Sequence, residues 1–337
     1  MPNKIRWGLL STANINKALI APLRQAERSE LTAVASRDQG KATAYAEQHG
    51  IPKVYGSYEA LLADPDIDVI YNPLPNKLHS EWTIKAAEAG KHVLCEKPLV
   101  TTLAEFDQVV AAAERNRVTV FEAFMYLHHP QTHTVLDLVR EGKIGQLQQI
   151  NSWFHFYLPP ERGENIRLNA TLDGGSLWDV GVYPNSAALS IAAAGGAGDC
   201  PQEVFASQII GETGVDVALR GQLHFAQGVV AQISSGFRTP FREAIHIIGD
   251  QGALHVVEPW KPGLSGNDSR VLFTSHRGET ETITTPAIDP YLCEVQAMEA
   301  CLIDGAAPVL PLSRSRNFLQ SILALYTSAR SGAVVQL

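Results

Sequence analysis

Cysteine is scarce in this chain of 337 residues: only Cys95, Cys200, Cys293 and Cys301 occur, with no CxxC pair and no compact framework. That spacing provides neither a zinc ribbon nor a disulfide scaffold, and it reads as reduced thiols in a cytoplasmic protein, without redox or metal duty. Positive charge is also short, since 27 Lys and Arg against 35 Asp and Glu leave a net charge of −8. With no overall positive field to draw in nucleic acid or an anionic membrane, a small-molecule partner is expected. Long apolar runs are missing too. The opening MPNKIRWGLLSTANI holds no stretch suited to a signal h-region. Nothing elsewhere approaches the ~18 apolar residues of a membrane span, so neither export nor insertion is expected. What remains is a composition of 45% apolar and 18% charged residues, that of a folded globular chain. Its length is about twice the modal ~150-residue domain, which points to two domains.

The first ~120 residues alternate β-type runs with helix-type stretches, the pattern of a doubly wound parallel sheet. Strands are expected at 5–10, 31–36, 69–71, 91–95 and 118–121, and helices at 15–26, 39–49, 57–63, 79–89 and 103–116. After Phe121 the texture changes. A helix at 131–141 is followed by strands at 147–156, 204–210, 215–225, 229–237, 243–248, 253–257 and 271–275, broken by Gly-rich and Pro-rich turns, and two helices at 291–304 and 313–331 close the chain. The expectation is therefore an α/β protein with a nucleotide-binding Rossmann domain over residues 1–124. An α+β domain built on a large, mostly antiparallel open sheet follows over 125–337. Such a sheet leaves apolar surface on one face, so a homodimer or homotetramer formed through it is expected.

The first strand runs into Gly8-Leu9-Leu10-Ser11-Thr12-Ala13-Asn14-Ile15. Small residues there let the backbone turn tightly and bring a helix N-terminus, with its free N–H groups, up to a pyrophosphate. Ser11 and Ala13 stand where a dinucleotide fingerprint has glycine, so a plain strand-to-helix turn is an equal reading of the motif alone. At the end of the second strand an acidic residue favours NAD and a basic one favours NADP. Here Ser36, Arg37 and Lys41 favour the 2′-phosphate of NADP, and Asp38 dissents unless it caps the following helix.

The segment Ala89-Gly90-Lys91-His92-Val93-Leu94-Cys95-Glu96-Lys97-Pro98-Leu99 resembles the signature of the glucose-fructose oxidoreductase/inositol dehydrogenase family. Upstream, Asn72-Pro73-Leu74-Pro75-Asn76-Lys77-Leu78-His79 is similar to the family loop beneath the nicotinamide. Downstream, Gly174-Gly175-Ser176-Leu177-Trp178-Asp179-Val180-Gly181-Val182-Tyr183-Pro184 is similar to its catalytic Gly-Gly-x-x-x-Asp-x-Gly-x-His segment, with Tyr in place of His. The Tyr variant resembles the branch holding dimeric dihydrodiol dehydrogenase, NADP-dependent xylose dehydrogenase and nucleotide-sugar 3-ketoreductases. One departure is Leu127, where that branch commonly carries arginine after Glu122-Ala123-Phe124-Met125-Tyr126.

The resemblance implies an NADP(H)-dependent oxidoreductase of a sugar, polyol or cyclic diol. Lys97, Asp179 and Tyr183 would be catalytic, and Gly8, Ser11, Thr12, Ala13, Asn14, Ile15, Ser36, Arg37, Lys41, Pro73, Leu74, Asn76, His79, Glu96, Lys97 and Pro98 would hold the cofactor. Tyr126 and His129 join Lys97, Asp179 and Tyr183 at the substrate. Hydride transfer at a carbinol needs a proton acceptor, and a phenol with a pKa near ~10 needs a neighbouring positive charge to serve, which Lys97 could supply. Asp179, four residues before Tyr183, shares its face on a helix. Asn76 and His79 could equally cap a helix starting near Ser80. His129 and His133 stand four apart, as zinc ligands on a helix would, but no acidic or cysteine partner accompanies them and no metal is expected. Two rival readings stay open. One is a nucleotide-sugar ketoreductase, with Arg162, Arg167 or Arg238 along a diphosphate groove, and the other is a non-catalytic NADP-binding sensor.

Overall fold

The computed structural model describes residues 4–337, which form two compact units. In the first, β1 (Ile5–Leu10), α1 (Asn16–Gln25), β2 (Ser29–Ala35), α2 (Gln39–His49), β3 (Lys53–Tyr55), α3 (Tyr58–Leu62), β4 (Val69–Asn72), α4 (Asn76–Glu88), β5 (His92–Glu96), α5 (Leu103–Asn116) and β6 (Val120–Ala123) alternate along the chain. The six strands pair in the order β3-β2-β1-β4-β5-β6, parallel throughout. The order reverses between β1 and β4, and in such sheets ligands bind outside the carboxyl ends of the strands at that switch point. Helices cover both faces, so the strands are apolar rather than alternating: β4 and β6 are buried at every position. Asp38, Ser57 and Thr102 start α2, α3 and α5 by accepting N–H bonds from Lys41, Ala60 and Glu105.

The second unit carries α6 (Pro130–Arg140), β7 (Leu147–Tyr157), α7 (Val182–Ala194), β8 (Glu203–Ile210), β9 (Asp216–His224), β10 (Val230–Gly236), β11 (Arg238–Gly249), β12 (Gly252–Val256), β13 (Ser269–Ser275) and β14 (Thr280–Thr285). Two helices, α8 (Pro290–Asp304) and α9 (Leu312–Ser331), and the short β15 (Val335–Gln336) complete the chain. Nine strands form one sheet in the order β14-β13-β12-β11-β7-β10-β9-β8-β15, with β7 and β10 its single parallel pair. The α7 helix lies against β7 and β10 on the face that carries Phe154 and Ser235. The opposite face carries a register-aligned row running Leu272, His255, His246, Asn151, Gln232, Gln222 and Phe205.

One boundary differs from the sequence expectation. Residues 291–315 belong to the first unit, which otherwise ends at Met125, rather than to the second. The reason is burial: Val295 and Met298 are fully enclosed, and the buried Glu299 accepts the Arg28 backbone N–H at 3.2 Å. Among the described residues no helix is long and apolar enough to cross a membrane, and no three His, Cys, Asp or Glu side chains group as a metal site.

Candidate active site

In the first unit, the turn from β1 into α1 leaves the helix without a side-chain cap and without an acidic residue in its first turn. Its N-terminal dipole is thus uncompensated, the condition that suits a phosphate. Ser11 adopts φ +145°, a region that favours glycine, so it accepts the backbone path of the fingerprint despite carrying a side chain. Thr12, Ala13, Asn14 and Ile15 remain half-exposed or exposed around it. Gly8 has another duty. A Cβ there would stand 2.9 Å from Leu61 and 3.2 Å from Ile67, so this glycine lets β1 pack against apolar side chains.

At the end of β2, the Asp38 carboxylate is turned onto the Lys41 N–H at 3.0 Å and caps α2. It is occupied where an NAD enzyme would offer a carboxylate to the ribose. Ser36 Oγ accepts the Asp38 N–H at 3.2 Å, and the exposed Arg37 lies against the Tyr58 hydroxyl. These groups, with the uncapped α1 terminus, fit a dinucleotide bearing a 2′-phosphate.

Lys97 stands just past β5, half-exposed, in a turn held from three sides. The Tyr71 hydroxyl donates to Glu96 Oε1 at 2.6 Å, the Leu99 N–H donates to Glu122 Oε1 at 2.9 Å, and His79 Nδ1 meets the Pro98 carbonyl at 2.7 Å. Burial pushes the Glu122 carboxyl up to about 7. His79 Nε2 meets the Leu74 carbonyl at 2.6 Å, so this one ring joins the 73–75 loop to the Lys97–Pro98 turn. Burial pulls His79 down to about 4 against those carbonyls, leaving it neutral at pH 7 with one ring N–H to donate. The expectation for His79 as a cofactor contact is therefore corrected, because the ring is 1% exposed and both nitrogens face carbonyls of the chain. Neither Asn76 nor His79 is a cap: α4 begins at Asn76 itself, after Pro75.

In the second unit, the Gly-Gly motif leads into a π-helical turn, Leu177–Gly181, that continues as α7. Single π-turns of this kind often accompany functional sites. Three donors fasten its start to the buried Asp216: the Ser176 hydroxyl at 2.7 Å, the Leu177 N–H at 2.9 Å and the Tyr326 hydroxyl at 2.7 Å. Gly175 takes φ +137° there, and a Cβ would come within 2.2 Å of Asp216 Oδ1, so only glycine fits. Asp179 projects from the π-turn and accepts a bond from Arg167 Nε at 2.6 Å. Tyr183, in the first turn of α7, is enclosed by the rings of Tyr126, Phe154 and Trp260 at centroid distances of 5.9, 5.6 and 5.6 Å. The Tyr126 hydroxyl meets Ser186 Oγ at 2.7 Å.

His129 departs from its expected place at the substrate. It is fully buried, its Nδ1 accepts the Gln131 N–H at 3.0 Å to cap α6, and its Nε2 meets the Ile288 carbonyl at 3.1 Å. Both nitrogens serve the fold, which also removes the His129 and His133 zinc reading. Leu127 is buried with Val135, Leu136 and Ile191 around a small apolar cavity, so an arginine there would put an unpaired charge among aliphatic side chains.

Comparison with known proteins agrees with this architecture. Residues 5–124 match the oxidoreductase family with an NAD-binding Rossmann fold, and residues 132–255 match the GFO/IDH/MocA C-terminal domain. The chain belongs to the GFO/IDH/MocA oxidoreductase family. Among members of this family, it is 37% identical over 98% of its length to D-xylose 1-dehydrogenase (NADP(+)) 2 of Haloferax volcanii, covering 99% of that protein. It is 34% identical to a dTDP-3,4-didehydro-2,6-dideoxy-alpha-D-glucose 3-reductase of Actinomadura kijaniata, covering 91% of this chain and 90% of the other. The crystal structure of KijD10, a 3-ketoreductase from Actinomadura kijaniata in complex with NADP and TDP-benzene, superposes with a TM-score of 0.88 at 31% identity. That match covers 97% of this chain and 98% of KijD10. Within the family's two-part plan, Phe154 and Trp260 stand beside Tyr183 without having been expected there, and Arg167, a candidate for a diphosphate groove, is instead held by Asp179. Sheet register and a loop bring them in, and no local spacing announces them.

Proposed function

We propose that this GFO/IDH/MocA protein is an NADP(H)-dependent oxidoreductase that moves a hydride between the nicotinamide and a ring carbon bearing a hydroxyl or carbonyl. Its substrate is a free sugar, polyol or cyclic diol. The observation that carries the reading is the Asp179 and Tyr183 pair, on the π-turn and the first turn of α7, with an aromatic wall about Tyr183, in a chain that also keeps Lys97 just past a Rossmann strand. Bound NADP supplies or takes up the hydride. Ser11 to Ile15 and the α1 terminus would hold its pyrophosphate, Ser36, Arg37 and Lys41 its 2′-phosphate, and Pro73, Leu74, Glu96, Lys97 and Pro98 the nicotinamide end. Tyr183 exchanges the proton with the reacting oxygen and Asp179 orients the substrate, and the positive charge that a phenolate needs is assigned to Lys97 from its motif alone.

The nucleotide-sugar reading needs cationic groups along a diphosphate. Arg238 is instead bound to Glu212 at 3.0 Å and to the Leu158 carbonyl, and Arg167 is engaged by Asp179. That pairing favours the free sugar. A screen of NADP+ against aldoses, inositols and cyclic diols, and of NADPH against keto-sugars including nucleotide-linked ones, tests the choice. Turnover confined to nucleotide-linked ketoses would reverse it, and turnover of any of them eliminates the non-catalytic sensor.

Cofactor preference follows from the β2 terminus. Arg37→Ala is expected to weaken NADP by roughly 10- to 100-fold, the scale of a charged hydrogen bond, and to leave NAD nearly unchanged. Fluorescence titration of both cofactors reads it directly, and an NAD preference in the unaltered protein contradicts the assignment.

The sheet face turned away from α7 exposes Phe205, Ile209, Ile248 and Leu272 at 36–51% of their surface. Phe205, with Trp153, Asn151 and Gln232, lines a shallow hollow there. Such a patch is expected to be covered by a second copy, giving a dimer or tetramer. Light scattering at micromolar protein should return a multiple of the chain mass, and a monomeric mass is the opposing outcome.

A further inference from the structure

Glu243 stands on β11 directly across from Phe154 of β7, so both side chains leave the sheet on the face that α7 covers. The Phe154 ring packs on Tyr183 at 5.6 Å and stacks on Trp260 at 6.1 Å, which sets Glu243 one ring away from the phenol proposed to move the proton. Phe241 packs edge-on against Phe154 at 6.0 Å and is 58% exposed. The segment after β12 closes the other side. There Trp260 Nε1 donates to the Trp153 carbonyl at 3.3 Å and Gln131 Nε2 to the Glu258 carbonyl at 3.0 Å, which pins Glu258 and Lys261 near Glu243. These two are the charged groups that face it, while β7 offers Phe154, its own strand Phe241 and Ile245, and α7 brings Tyr183 to the wall. Among the described residues none hydrogen-bonds to the Glu243 carboxyl. Burial and then Glu258 push it up to about 7, with Lys261 pulling the other way. A half-buried charge without a partner loses hydration and gains nothing from the fold, so stability does not account for it.

We propose that Glu243 determines substrate specificity: its carboxylate accepts hydrogen bonds from hydroxyls of a ring lying on the aromatic wall and turns away rings that carry their own negative charge. A sugar or inositol ring has apolar C–H faces and a rim of O–H donors. Pockets for such ligands combine apolar or aromatic lining with a few polar groups that fix orientation. Phe154 and Phe241 keep ring surface uncovered for the first part, and an ionised carboxylate, which only accepts, serves the second. A carboxylate or phosphate on the ring would meet Glu243 in a partly desolvated setting, where like charges repel more strongly than in water. The proposal rests on the oxidoreductase reading above and narrows its substrate class to uncharged polyhydroxylated rings, which leaves out sugar acids and sugar phosphates.

Binding of D-xylose, D-glucose, myo-inositol and D-glucuronate to the full chain with NADP+, followed by tryptophan fluorescence at pH 6 and pH 8, tests the proposal. Hydrogen bonds to a charged group are roughly twice as strong as neutral ones, so neutral rings should bind about 5- to 10-fold more tightly at pH 8 than at pH 6. Glu243→Gln should lose that gain. At pH 8 it is expected to bind them about 5- to 10-fold more weakly than the unaltered protein, and at pH 6 equally well. D-glucuronate should bind the unaltered protein at least ~10-fold more weakly than D-glucose at pH 8, and the variant should narrow that gap. In turnover the loss should raise KM and spare kcat, the mark of a contact made equally in ground and transition states. The folded carboxyl, at about 7, lies above its ordinary 4.5, so stability is lost as pH rises between them, and Glu243→Gln should melt higher than the unaltered protein at pH 8 and less so at pH 5. A carboxylate that merely held the fold together would give the opposite shift. Should Glu243→Gln fail to fold, Glu243→Leu and the pH comparison of the unaltered protein carry the test. Equal affinities of variant and unaltered protein at pH 8 overturn the proposal, as does D-glucuronate binding as tightly as D-glucose. Turnover of a neutral ring by a variant with unchanged KM removes Glu243 alone, whereas neither binding nor turnover of any neutral ring takes the underlying reading with it.

Discussion

Tyr183→Phe is expected to lose about 10²- to 10⁴-fold in kcat, the usual contribution of a general acid–base group, while binding NADP and folding as before. The substitution removes one oxygen and keeps the ring. That ring is what Tyr126, Phe154 and Trp260 pack against, so the aromatic wall of the second unit survives. Proton exchange occurs only as the hydride moves, and a group that acts there stabilises the transition state without tightening the ground state. The loss should accordingly fall on kcat, with KM for the sugar nearly unchanged. A variant that keeps most of its turnover would remove Tyr183 from the chemistry. His129 cannot stand in for it, because both its ring nitrogens are spent on Gln131 and Ile288.

Lys97→Met should lose at least as much. It removes the positive charge that the motif assigns to the proton-transfer step and a contact proposed for the nicotinamide end of the cofactor, so kcat and NADP affinity are both expected to fall. The turn itself should persist, since Glu96, Pro98 and Leu99 are tied to Tyr71, His79 and Glu122 without help from the ammonium. If Lys97 and Tyr183 act as a unit, the double variant will be little worse than the poorer single one, as groups sharing one step are strongly non-additive. Multiplied losses in the double variant would show that the two residues work independently.

The alternating first unit was legible because its helices announce themselves. Asp38, Ser57 and Thr102 are good caps, and α2 and α5 fall where the pattern puts them. The three-residue β3 was not expected, since Lys53, Val54 and Tyr55 are too few to show an alternation and sit at a sheet edge. A different reason hid α7. It is buried at every position from Val182 to Ile191 and on to Ala192, so it has no polar face and no helical period to detect. The edge strands β14 and β15 went unseen for want of apolar residues: Thr280–Thr285 offers a single isoleucine, and β15 is two residues long.

At the site, the residue types were readable and their duties only partly so. Asp179 and Tyr183 occupy consecutive turns, which spacing anticipates. The partnership of Asp179 with Arg167, twelve positions earlier across an irregular loop, follows no period. His79 and His129 show the converse. Each is a ligand-facing candidate in the sequence beside a structural alternative, and in the fold each ring is turned onto carbonyls or N–H groups of the chain.

The central claim is NADP-linked oxidation or reduction of a free hydroxylated ring, and initial rates of NADPH formation with a panel of aldoses, inositols and cyclic diols test it most directly. Turnover of at least one such substrate, faster with NADP+ than with NAD+ at equal concentration, is the result expected. No turnover of any free ring substrate in either direction, or a clear preference for NAD+, would contradict it.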